Sequence, residues 1–355
     1  MKSLEQVFFS NDVAETIDKI VGQLAPSEVF VLTDTNTLIA VLPRLSDSST
    51  ISTAKKITIK SGEKHKNIES LTSVWQQLTE NRATRNSLLI NIGGGVITDL
   101  GGFAASTFKR GIKFVNIPTT PLAAVDAAIG GKTGIDFLGF KNEIGVFSDP
   151  YAIIISSKFF STLTQQEMYS GYAEMLKHSL LQNDKSLNRI LSFDLQDFDE
   201  HKMLEIINES VIVKAKIVNE DPFEKGIRKA LNFGHTVGHA FESFALKNKT
   251  YIPHGYAIAY GIIVELILSH FKFNFSSTIL RQIVSFVRQH YGAMYITCND
   301  YPTLLEYMHH DKKNSNSSGI NFTLLRSPGQ IEINNILNDE EIKQALDIYR
   351  DLLGI

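Results

Sequence analysis

Short β-rich runs alternate with helical stretches in the first part of the chain. The predicted strands are residues 28–34, 55–61, 87–95 and 113–120. An amphipathic helix is predicted at 67–80, and a run at 151–163 is predicted as the last strand before the pattern changes. Strands and helices in this rhythm indicate a parallel sheet with crossover helices.

Helical periodicity replaces the strand pattern from about Gln165. Helices are predicted at 171–181, 203–218, 235–246, 256–271 and 338–353. A polar Ser/Asn-rich stretch at 311–319 predicts a loop, and an extended run follows at 320–327. We therefore predict an α/β domain over residues 1–160 and an all-α domain over 161–355.

Composition narrows the class of protein. The 355 residues are 43% hydrophobic and 21% charged, as in globular proteins, and the net charge of −3 is scattered along the chain. No polybasic arm or acidic tail indicates nucleic acid or membrane as a partner, so an anionic ligand needs a local cluster of cations. Residues 1–20 carry acids within their apolar stretch, so neither a signal peptide nor a membrane anchor is expected, and we predict a cytoplasmic location.

Cysteine usage limits the kinds of metal site. Cys298 is the single cysteine of the sequence, which excludes an internal disulfide and a thiolate-rich zinc site. A metal ion would therefore need histidine and carboxylate ligands.

A glycine-rich turn follows the strand at 87–95. The run 91–103, NIGGGVITDLGGF, opens a helix, and glycines there let backbone N–H groups approach a pyrophosphate at the helix N-terminus. Its spacing is not GxGxxG, and a tight turn without a ligand is equally compatible with the run. Asp34 ends the strand at 28–34, where a nucleotide could meet it, although a turn or cap role is the simpler interpretation for that residue alone. Residues 61–66 either contact a ribose or cap the next helix.

A loop rich in small residues and cations lies at 118–142. Small residues let a ligand approach the backbone, and Lys132, Lys141 and Asn142 supply donors suited to a phosphorylated or carboxylated substrate. The run 130–133, GGKT, is similar to the end of a P-loop, but the glycine required upstream is replaced by Asp126. We therefore do not expect a nucleotide triphosphatase.

Histidines and a carboxylate form a candidate metal site in the second part. His235 and His239 fall on one face of a predicted helix, at the spacing of paired ligands. His254 precedes another helix, and Glu174 lies one turn before Lys177. Two histidines and one carboxylate leave open positions on a zinc-like ion, which is the catalytic pattern, and spacing alone does not say which of His235 and His239 binds. Any one of these histidines alone would be read as a cap or a core residue.

Seven motifs occur in one order along the chain: GGGVITDLGGF, PTTPLAAVDAAIGGKTGID, KNEIGVF, GYAEMLK, EKGIRKALNFGHTVGHAFE, HGYAIAYG and DKK. Together they resemble the 3-dehydroquinate synthase family of sugar-phosphate cyclases, from about Asp34 to Lys313. The resemblance implies a Rossmann-like NAD-binding α/β domain followed by an all-α metal-binding domain, and a homodimer.

The resemblance also implies which residues bind the ligands. The implied metal ligands, for Zn²⁺ or Co²⁺, are Glu174, His235 and His254. The implied NAD-binding residues are Asp34, Glu63, Lys66, Gly94, Gly95, Val96, Asp99, Thr119, Thr120, Leu122, Asp126, Lys132, Lys141, Thr162 and Glu167. The implied substrate-binding residues are Arg110, Asn142, Lys214, Glu224 and Lys312, with Lys312 chosen over Lys313. The implied catalytic residues are Lys132, Lys177, Arg228, Asn232 and His239.

The family's reaction converts 3-deoxy-D-arabino-heptulosonate 7-phosphate to 3-dehydroquinate and phosphate. It proceeds through transient NAD-dependent oxidation, phosphate elimination, re-reduction and intramolecular aldol closure. The alternatives are another sugar-phosphate cyclase, a metal-dependent alcohol or glycerol dehydrogenase, and a binding protein that has lost activity. Lys214, Arg228 and Asn232 favour a substrate with a carboxylate.

Three positions depart from the family's usual pattern. The stretch 146–150 lacks the His that relatives often carry before its proline; Asp136 stands where many have Asn; and Phe140 stands where many have Gly. None of the three replaces an implied metal ligand or substrate cation.

Overall fold

A computed structural model describes residues 4–138, 140–195, 199–310 and 319–355. The chain divides into two compact units. The first contains Met1–Thr164 and Asp199–Ala215, and the second contains Gln165–Phe198 and Lys216–Ile355. A compact unit is not by itself an independently folding domain, so the predicted boundary between residues 160 and 161 stays a prediction.

The first unit is built on a parallel sheet. Its strands are β1 (Val7–Phe9), β2 (Val29–Asp34), β3 (Lys55–Ile59), β4 (Leu88–Gly93), β5 (Lys113–Pro118), β6 (Lys132–Phe137), β7 (Phe140–Phe147) and β8 (Ala152–Ile155). Six of them form a sheet in the order β1-β8-β5-β4-β2-β3, and every pair in it is parallel. β6 and β7 form a separate antiparallel pair. The predicted parallel sheet is confirmed.

The strand order reverses direction between β2 and β4. The chain passes from β2 to β3 on one side of it, and then returns to place β4 on the other side. In open α/β sheets such a reversal creates a crevice at the carboxyl ends of the two strands, because the connections leave on opposite faces. Asp34 ends β2 and Gly93 ends β4, so both residues lie at this crevice.

Helices cover the sheet of the first unit. They are α1 (Val13–Leu24), α2 (Thr35–Ala40), α3 (Ser49–Thr53), α4 (Ile68–Glu80) and α5 (Gly95–Thr107). Leu71, Val74 and Leu78 of α4 pack with Leu100 of α5 in one apolar core over the strands. Gly101 allows α5 to lie close to the sheet, since a Cβ there would lie 2.1 Å from Asn91 Oδ1.

Two local predictions for the first unit were wrong. The run at 151–163 is a strand only over Ala152–Ile155, and a 3-10 turn occupies Ser157–Thr162. The antiparallel pair β6–β7 was predicted as a loop, because its glycines and cations conceal the strand pattern. Gly134 and Gly145 face each other across this pair so closely that a Cβ on Gly145 would lie 2.2 Å from Thr133 O. These glycines therefore allow the two strands to pair.

A half-buried carboxylate of one helix caps the start of another helix in the first unit. Asp18 of α1 accepts hydrogen bonds from Ser49 N at 2.9 Å, Thr50 N at 3.0 Å and Ser48 Oγ at 2.6 Å at the start of α3. Burial raises the pKa of Asp18, but the hydrogen bonds from Ser48, Thr50 and Ser49 outweigh it and hold the pKa below its usual value.

We expect Asp18→Asn to lower the free energy of unfolding by about 1 kcal/mol at pH 7, the size of a capping interaction. Because the folded state lowers this pKa, the stabilisation is present above the unfolded value of 3.8 and is lost as the pH falls below it. Urea unfolding of both proteins from pH 7 to pH 3 measures the difference. A deficit that stayed constant over this range would contradict the role of the charge.

The second unit is mainly helical. Its helices are α6 (Gln165–Gln182), α7 (Asp184–Ser192), the end of α8 (Glu200–Glu220), α9 (His235–Lys247), α10 (His254–Phe273), α11 (Ser277–Tyr291), α12 (Tyr301–His309) and α13 (Asp339–Leu353). One antiparallel ribbon, β9 (Ile320–Ser327) with β10 (Gln330–Leu337), interrupts the helices. The helical character is confirmed; β9 matches the predicted extended run, and β10 was not predicted.

α10 is the central helix of the second unit. By length and composition it is the one helix of the described chain apolar enough to cross a membrane, and 72% of that stretch is buried within the protein. It packs against α6, α9 and α13. Burial on all sides explains its nearly continuous apolar sequence, since a helix surrounded by protein has no polar face.

Candidate active site

The N-terminus of α5 lies at the crevice between β2 and β4. Gly94 is its N-cap, Gly95 is its first residue, and no side chain caps it. A Cβ on Gly94 would lie 3.4 Å from Thr120 Cγ2, and a Cβ on Gly95 would lie 3.5 Å from Ala127 Cβ, both ordinary contacts. Internal packing therefore does not require glycine at either position. A pyrophosphate that approaches the backbone at this helix end does require it.

Asp34 acts as a helix cap in the structure. Its Oδ1 accepts hydrogen bonds from Asn36 N and Thr37 N, each at 2.8 Å, at the start of α2. Val96 is the second residue of α5, and Glu63 begins an exposed 3-10 turn before α4. The predicted contacts of Asp34, Glu63 and Val96 with NAD stay predictions.

Lys66 is the centre of a polar network in the first unit. Its buried ammonium lies 2.6 Å from Asp99 Oδ2 and donates to Asn142 Oδ1 at 2.5 Å. Asp136 Oδ1 accepts from Asn142 N at 2.8 Å. Burial lowers the pKa of Lys66, but the carboxylates of Asp99 and Glu63 outweigh it and raise the pKa, so the side chain stays charged. This network orients the Asn142 amide with its oxygen towards Lys66.

A single π-turn, Ala123–Ala127, follows β5 and carries Asp126. The Lys214 ammonium forms an ion pair with the Asp126 carboxylate and donates to Asp126 O at 2.7 Å. Two residues assigned to different ligands from the sequence are therefore partners. An anion that binds Lys214 has to share its ammonium with Asp126.

The remaining NAD-binding candidates lie on three segments. Thr119 N donates to Gly93 O at 3.0 Å, which places Thr119 beside the glycine turn, and Thr120 Oγ1 accepts from Ala123 N at 3.1 Å. Leu122 immediately precedes the π-turn. Thr162 closes the 3-10 turn after β8, whereas Glu167 is exposed in the first turn of α6 and belongs to the second unit.

Three candidate cations of the first unit lie on two different parts of it, the β6–β7 pair and the segment before β5. Lys132 begins β6 and Lys141 lies in β7, and both are exposed. Arg110 lies before the amino end of β5, with a φ of 69°, and lines a surface cavity of about 630 Å³ together with Arg82, Arg85 and Lys109.

β5 separates Arg110 from the crevice residues of the same chain. The strand runs from Lys113 to Pro118, about 20 Å at the rise of an extended chain, and Thr119 follows its other end. An arginine side chain does not reach across that distance. Arg110 is therefore not brought to the crevice of its own chain.

The predicted metal ligands come together in the second unit. Glu174 and Lys177 lie one turn apart on α6, 0% and 1% exposed, and form an ion pair. Glu174 Oε1 lies 3.6 Å from His235 Nε2 and 3.8 Å from His254 Nε2. His235 is the first residue of α9 and His254 is the first residue of α10, so three helices position the three side chains.

The Nδ1 atoms of His235 and His254, which lie on the far side of each ring from Glu174, contact acceptors that orient the rings. His235 Nδ1 lies 3.1 Å from Phe233 O, and His254 Nδ1 lies 3.3 Å from Glu242 Oε2. A proton on Nδ1 in each ring satisfies these acceptors and leaves the Nε2 lone pair directed at Glu174. The sequence analysis did not identify Glu242 as a partner of a predicted ligand. The available signal was its position seven residues after His235, two turns along the same face of α9.

The donor set fits a divalent metal ion. Glu174 Oε1 is buried and has no hydrogen-bond donor among the described residues, and a buried oxygen in that state calls for an ion or a water. Ligands at about 2.1 Å in a tetrahedral site lie about 3.4 Å from one another. The two measured separations from Glu174 Oε1 are close to that value, so a small contraction would bring each histidine and Glu174 to the spacing of two ligands on one ion.

His239 lies beside this cluster. Its ring centroid is 5.2 Å from that of His235 and 5.8 Å from that of His254, and the three histidines each offer a nitrogen within 4.8 Å of the others. His239 is thus placed either to join the coordination or to act on a substrate bound there. The assignment of Glu174, His235 and His254 as the ligands stays a prediction.

A structured turn presents the predicted carboxylate-binding residues. Asn232 Nδ2 donates to Glu224 Oε1 at 2.8 Å, and the buried Arg228 donates to Pro222 O at 2.5 Å. Asp221 accepts from Gly226 N at 2.6 Å and from Arg228 N at 3.1 Å, and so closes the turn.

Asp221 was missed at the sequence level, although the Asp-Pro pair that begins this turn is a recognisable turn signal. Lys312, the other substrate candidate of the second half, lies outside the described residues.

Comparison with known proteins identifies the fold. Solved structures of sugar-phosphate cyclases share the fold. A 2-deoxy-scyllo-inosose synthase complexed with carbaglucose-6-phosphate, NAD⁺ and Co²⁺ matches with a TM-score of 0.83 at 20% identity, over 96% of this chain and 95% of the other. A 2-epi-5-epi-valiolone synthase from Streptomyces hygroscopicus with NAD⁺ and Zn²⁺ bound matches with a TM-score of 0.82 at 21% identity, over 97% and 96%. The fold is therefore that of the sugar-phosphate cyclases.

The sequence comparisons narrow the class to one family. The models described as 3-dehydroquinate synthase N-terminal and C-terminal match residues 56–170 and 171–314. A 3-dehydroquinate synthase from Parabacteroides distasonis is 44% identical over 353 residues, which cover 99% of this chain and 100% of that protein. The chain belongs to the 3-dehydroquinate synthase family, and the predicted resemblance and fold class are confirmed.

Proposed function

We propose that this chain converts 3-deoxy-D-arabino-heptulosonate 7-phosphate to 3-dehydroquinate and phosphate, with NAD as a recycled cofactor and Zn²⁺ or Co²⁺ as the metal. The observation that carries the proposal is the convergence of His235 Nε2 and His254 Nε2 on the buried Glu174 Oε1. Membership of the family supports the same reaction, as do the buried cations Lys214 and Arg228.

The metal ion and NAD would be bound by residues from different parts of the chain. Glu174, His235 and His254 would hold the metal ion, and the crevice residues around Gly94, Gly95 and Thr120 would hold NAD. When bound, the metal ion would polarise a substrate hydroxyl, and NAD would accept a hydride and later return it.

The chain's own residues bind the two anionic ends of the substrate. Lys132 and Asn142 would contact the phosphate, and Lys214, Arg228 and Asn232 would contact the carboxylate. Arg228 and Lys214 are 3% and 6% exposed, so little water competes with these charges. Held at both ends, a flexible seven-carbon chain is restricted to conformations that can react.

Lys177 and His239 would serve the proton transfers. The Lys177 ammonium is buried beside Glu174, where it stabilises negative charge on a substrate oxygen. His239 is adjacent to the ligand cluster and can exchange a proton with a substrate hydroxyl. The departing phosphate can itself take the proton from the carbon next to the transient ketone, so no single general base is assigned.

Arg110 would act in a second copy of the chain. Its position before the amino end of β5 keeps it from the crevice of its own chain. In the homodimer that we propose, Arg110 would contact the substrate phosphate bound by the partner. A cytoplasmic location is part of the same proposal.

Incubation of the enzyme with the heptulosonate phosphate, NAD⁺ and Zn²⁺ tests the proposal. We expect phosphate and 3-dehydroquinate to appear in equal amounts with no net change in nicotinamide absorbance. A carboxylate-free sugar phosphate is the matched control substrate, and we expect little turnover of it, because Lys214 and Arg228 then lack their partner. Net formation of NADH would indicate the dehydrogenase alternative, and preference for the carboxylate-free sugar would indicate another cyclase.

A further inference from the structure

Glu265 is an unusual residue in the central helix of the second unit. It is the only Asp, Glu, Lys or Arg between His254 and His270 of α10, and it is 0% exposed. A buried carboxylate is costly unless hydrogen bonds or charges compensate it. The residues that compensate it indicate its role.

The Glu265 carboxylate binds the backbone at the start of α9. Its Oε2 accepts from Gly234 N at 2.6 Å, and its Oε1 accepts from Val237 N at 3.3 Å. Gly234 is the N-cap of α9 and has no side chain, so the helix lacks a cap of its own. Glu265 supplies that cap from a neighbouring helix, with its negative charge at the positive end of the helix dipole.

The capped backbone carries a predicted metal ligand. His235 directly follows Gly234 and precedes Val237 by two residues, so both hydrogen bonds flank it. Gly234 has a φ of 79°, which lets the chain turn sharply into the helix. The position of the His235 ring is therefore set by a turn whose N–H groups Glu265 holds.

Close packing of α9 on α10 brings the Gly234–Val237 turn within reach of Glu265. A Cβ on Gly261 would lie 2.1 Å from Gly234 O, and a Cβ on Gly238 would lie 3.0 Å from Ala257 O, so the two helices touch through their backbones. α10 also begins with His254, another predicted ligand. One helix thus carries a ligand at its first residue and fixes the backbone of a second ligand through Glu265.

We propose that Glu265 is a positioning residue for the metal site, which it serves by holding the Gly234–Val237 turn so that His235 Nε2 is directed at Glu174. This inference rests on the proposed function, because it assumes that His235 binds the metal ion. Residues that orient metal ligands typically change metal affinity 10- to 100-fold when altered.

Zinc affinity of the metal-free protein tests the inference without reference to activity. Glu265→Gln keeps the shape of the side chain but offers one acceptor oxygen to two N–H donors. We expect a zinc dissociation constant at least about 10-fold higher than that of the unaltered protein, measured by competition with a chromophoric chelator. The Michaelis constant for NAD⁺ should stay within about twofold, since the predicted NAD-binding residues around Gly94 belong to the first unit.

Asp18→Asn is the matched control, because Asp18 also caps one helix from another through backbone N–H groups. It should lower the melting temperature of the metal-free protein but leave zinc affinity within twofold. If Glu265→Gln fails to fold, Glu265→Asp replaces it. The aspartate side chain keeps the charge but is shorter, so the Gly234–Val237 turn must move towards α10 to reach it. We expect the same loss of zinc affinity.

Zinc affinity equal to that of the unaltered protein, in Glu265→Gln or in the Asp variant that replaces it, would overturn the inference. Failure of the unaltered protein to bind zinc would instead overturn the proposed metal site, so the two failures are distinguishable.

Discussion

His235→Ala is expected to abolish zinc retention and turnover together. His235 supplies one of three predicted ligands, and loss of one ligand from a site worth roughly 12 kcal/mol costs about 4 kcal/mol, or about 1000-fold in affinity. Of the two predicted histidine ligands near Glu174 Oε1, only His254 would then remain. Zinc content after dialysis and phosphate release from the heptulosonate phosphate measure the two effects.

His239→Ala is the matched control for this experiment, because its ring lies 5.2 Å from that of His235 on the same helix. It should retain zinc within a few-fold and lose turnover by about 100-fold or more, as expected for a residue that transfers protons. If His239→Ala lost zinc while His235→Ala retained it, the assignment of the two histidines would have to be exchanged.

Gly94→Ala is expected to weaken NAD⁺ binding by about 100-fold while leaving stability almost unchanged. The φ of −74° at Gly94 is open to any residue, and the added methyl group would lie 3.4 Å from Thr120 Cγ2, so the fold accepts it. The same methyl group would occupy the space through which a pyrophosphate approaches the start of α5. Titration of NAD⁺ by protein fluorescence and a thermal melt measure the two quantities.

Gly101→Ala should show the opposite behaviour. Its methyl group would lie 2.1 Å from Asn91 Oδ1 and 2.9 Å from Leu32 Cδ2 inside the core, which should cost roughly 1–3 kcal/mol of stability. The folded fraction should bind NAD⁺ normally. If Gly94→Ala bound NAD⁺ as well as the unaltered protein, the crevice would not be the pyrophosphate site.

The parallel sheet and the helical second half were predictable because their apolar runs are long and regular. The closeness of Glu174, His235 and His254 was also accessible, since the family resemblance groups the motifs that carry them; their role as metal ligands stays a prediction. The β6–β7 pair was not, because its pattern is masked by glycines that serve close strand pairing, as at Gly134 and Gly145. Hydrophobic periodicity reveals a strand when one of its faces is buried. Every residue of β7 is exposed, so β7 has no such periodicity.

Residues that support the site were harder to predict than residues that form it. Asp221, Glu242 and Glu265 act by bonding to backbone groups or ring nitrogens that are distant in sequence or hidden in a turn. Glu265 lies 31 positions from Gly234. This contact becomes visible only when α9 and α10 are packed, because no local pattern links the two residues.

The recycling of NAD is the central claim of the proposed reaction, and the number of turnovers per NAD⁺ tests it most directly. Enzyme loaded with Zn²⁺ and one equivalent of NAD⁺ should release many equivalents of phosphate from excess heptulosonate phosphate, each with one 3-dehydroquinate. The nicotinamide should remain oxidised at the end. Phosphate release that stopped after one equivalent, with NADH accumulating, would contradict the account.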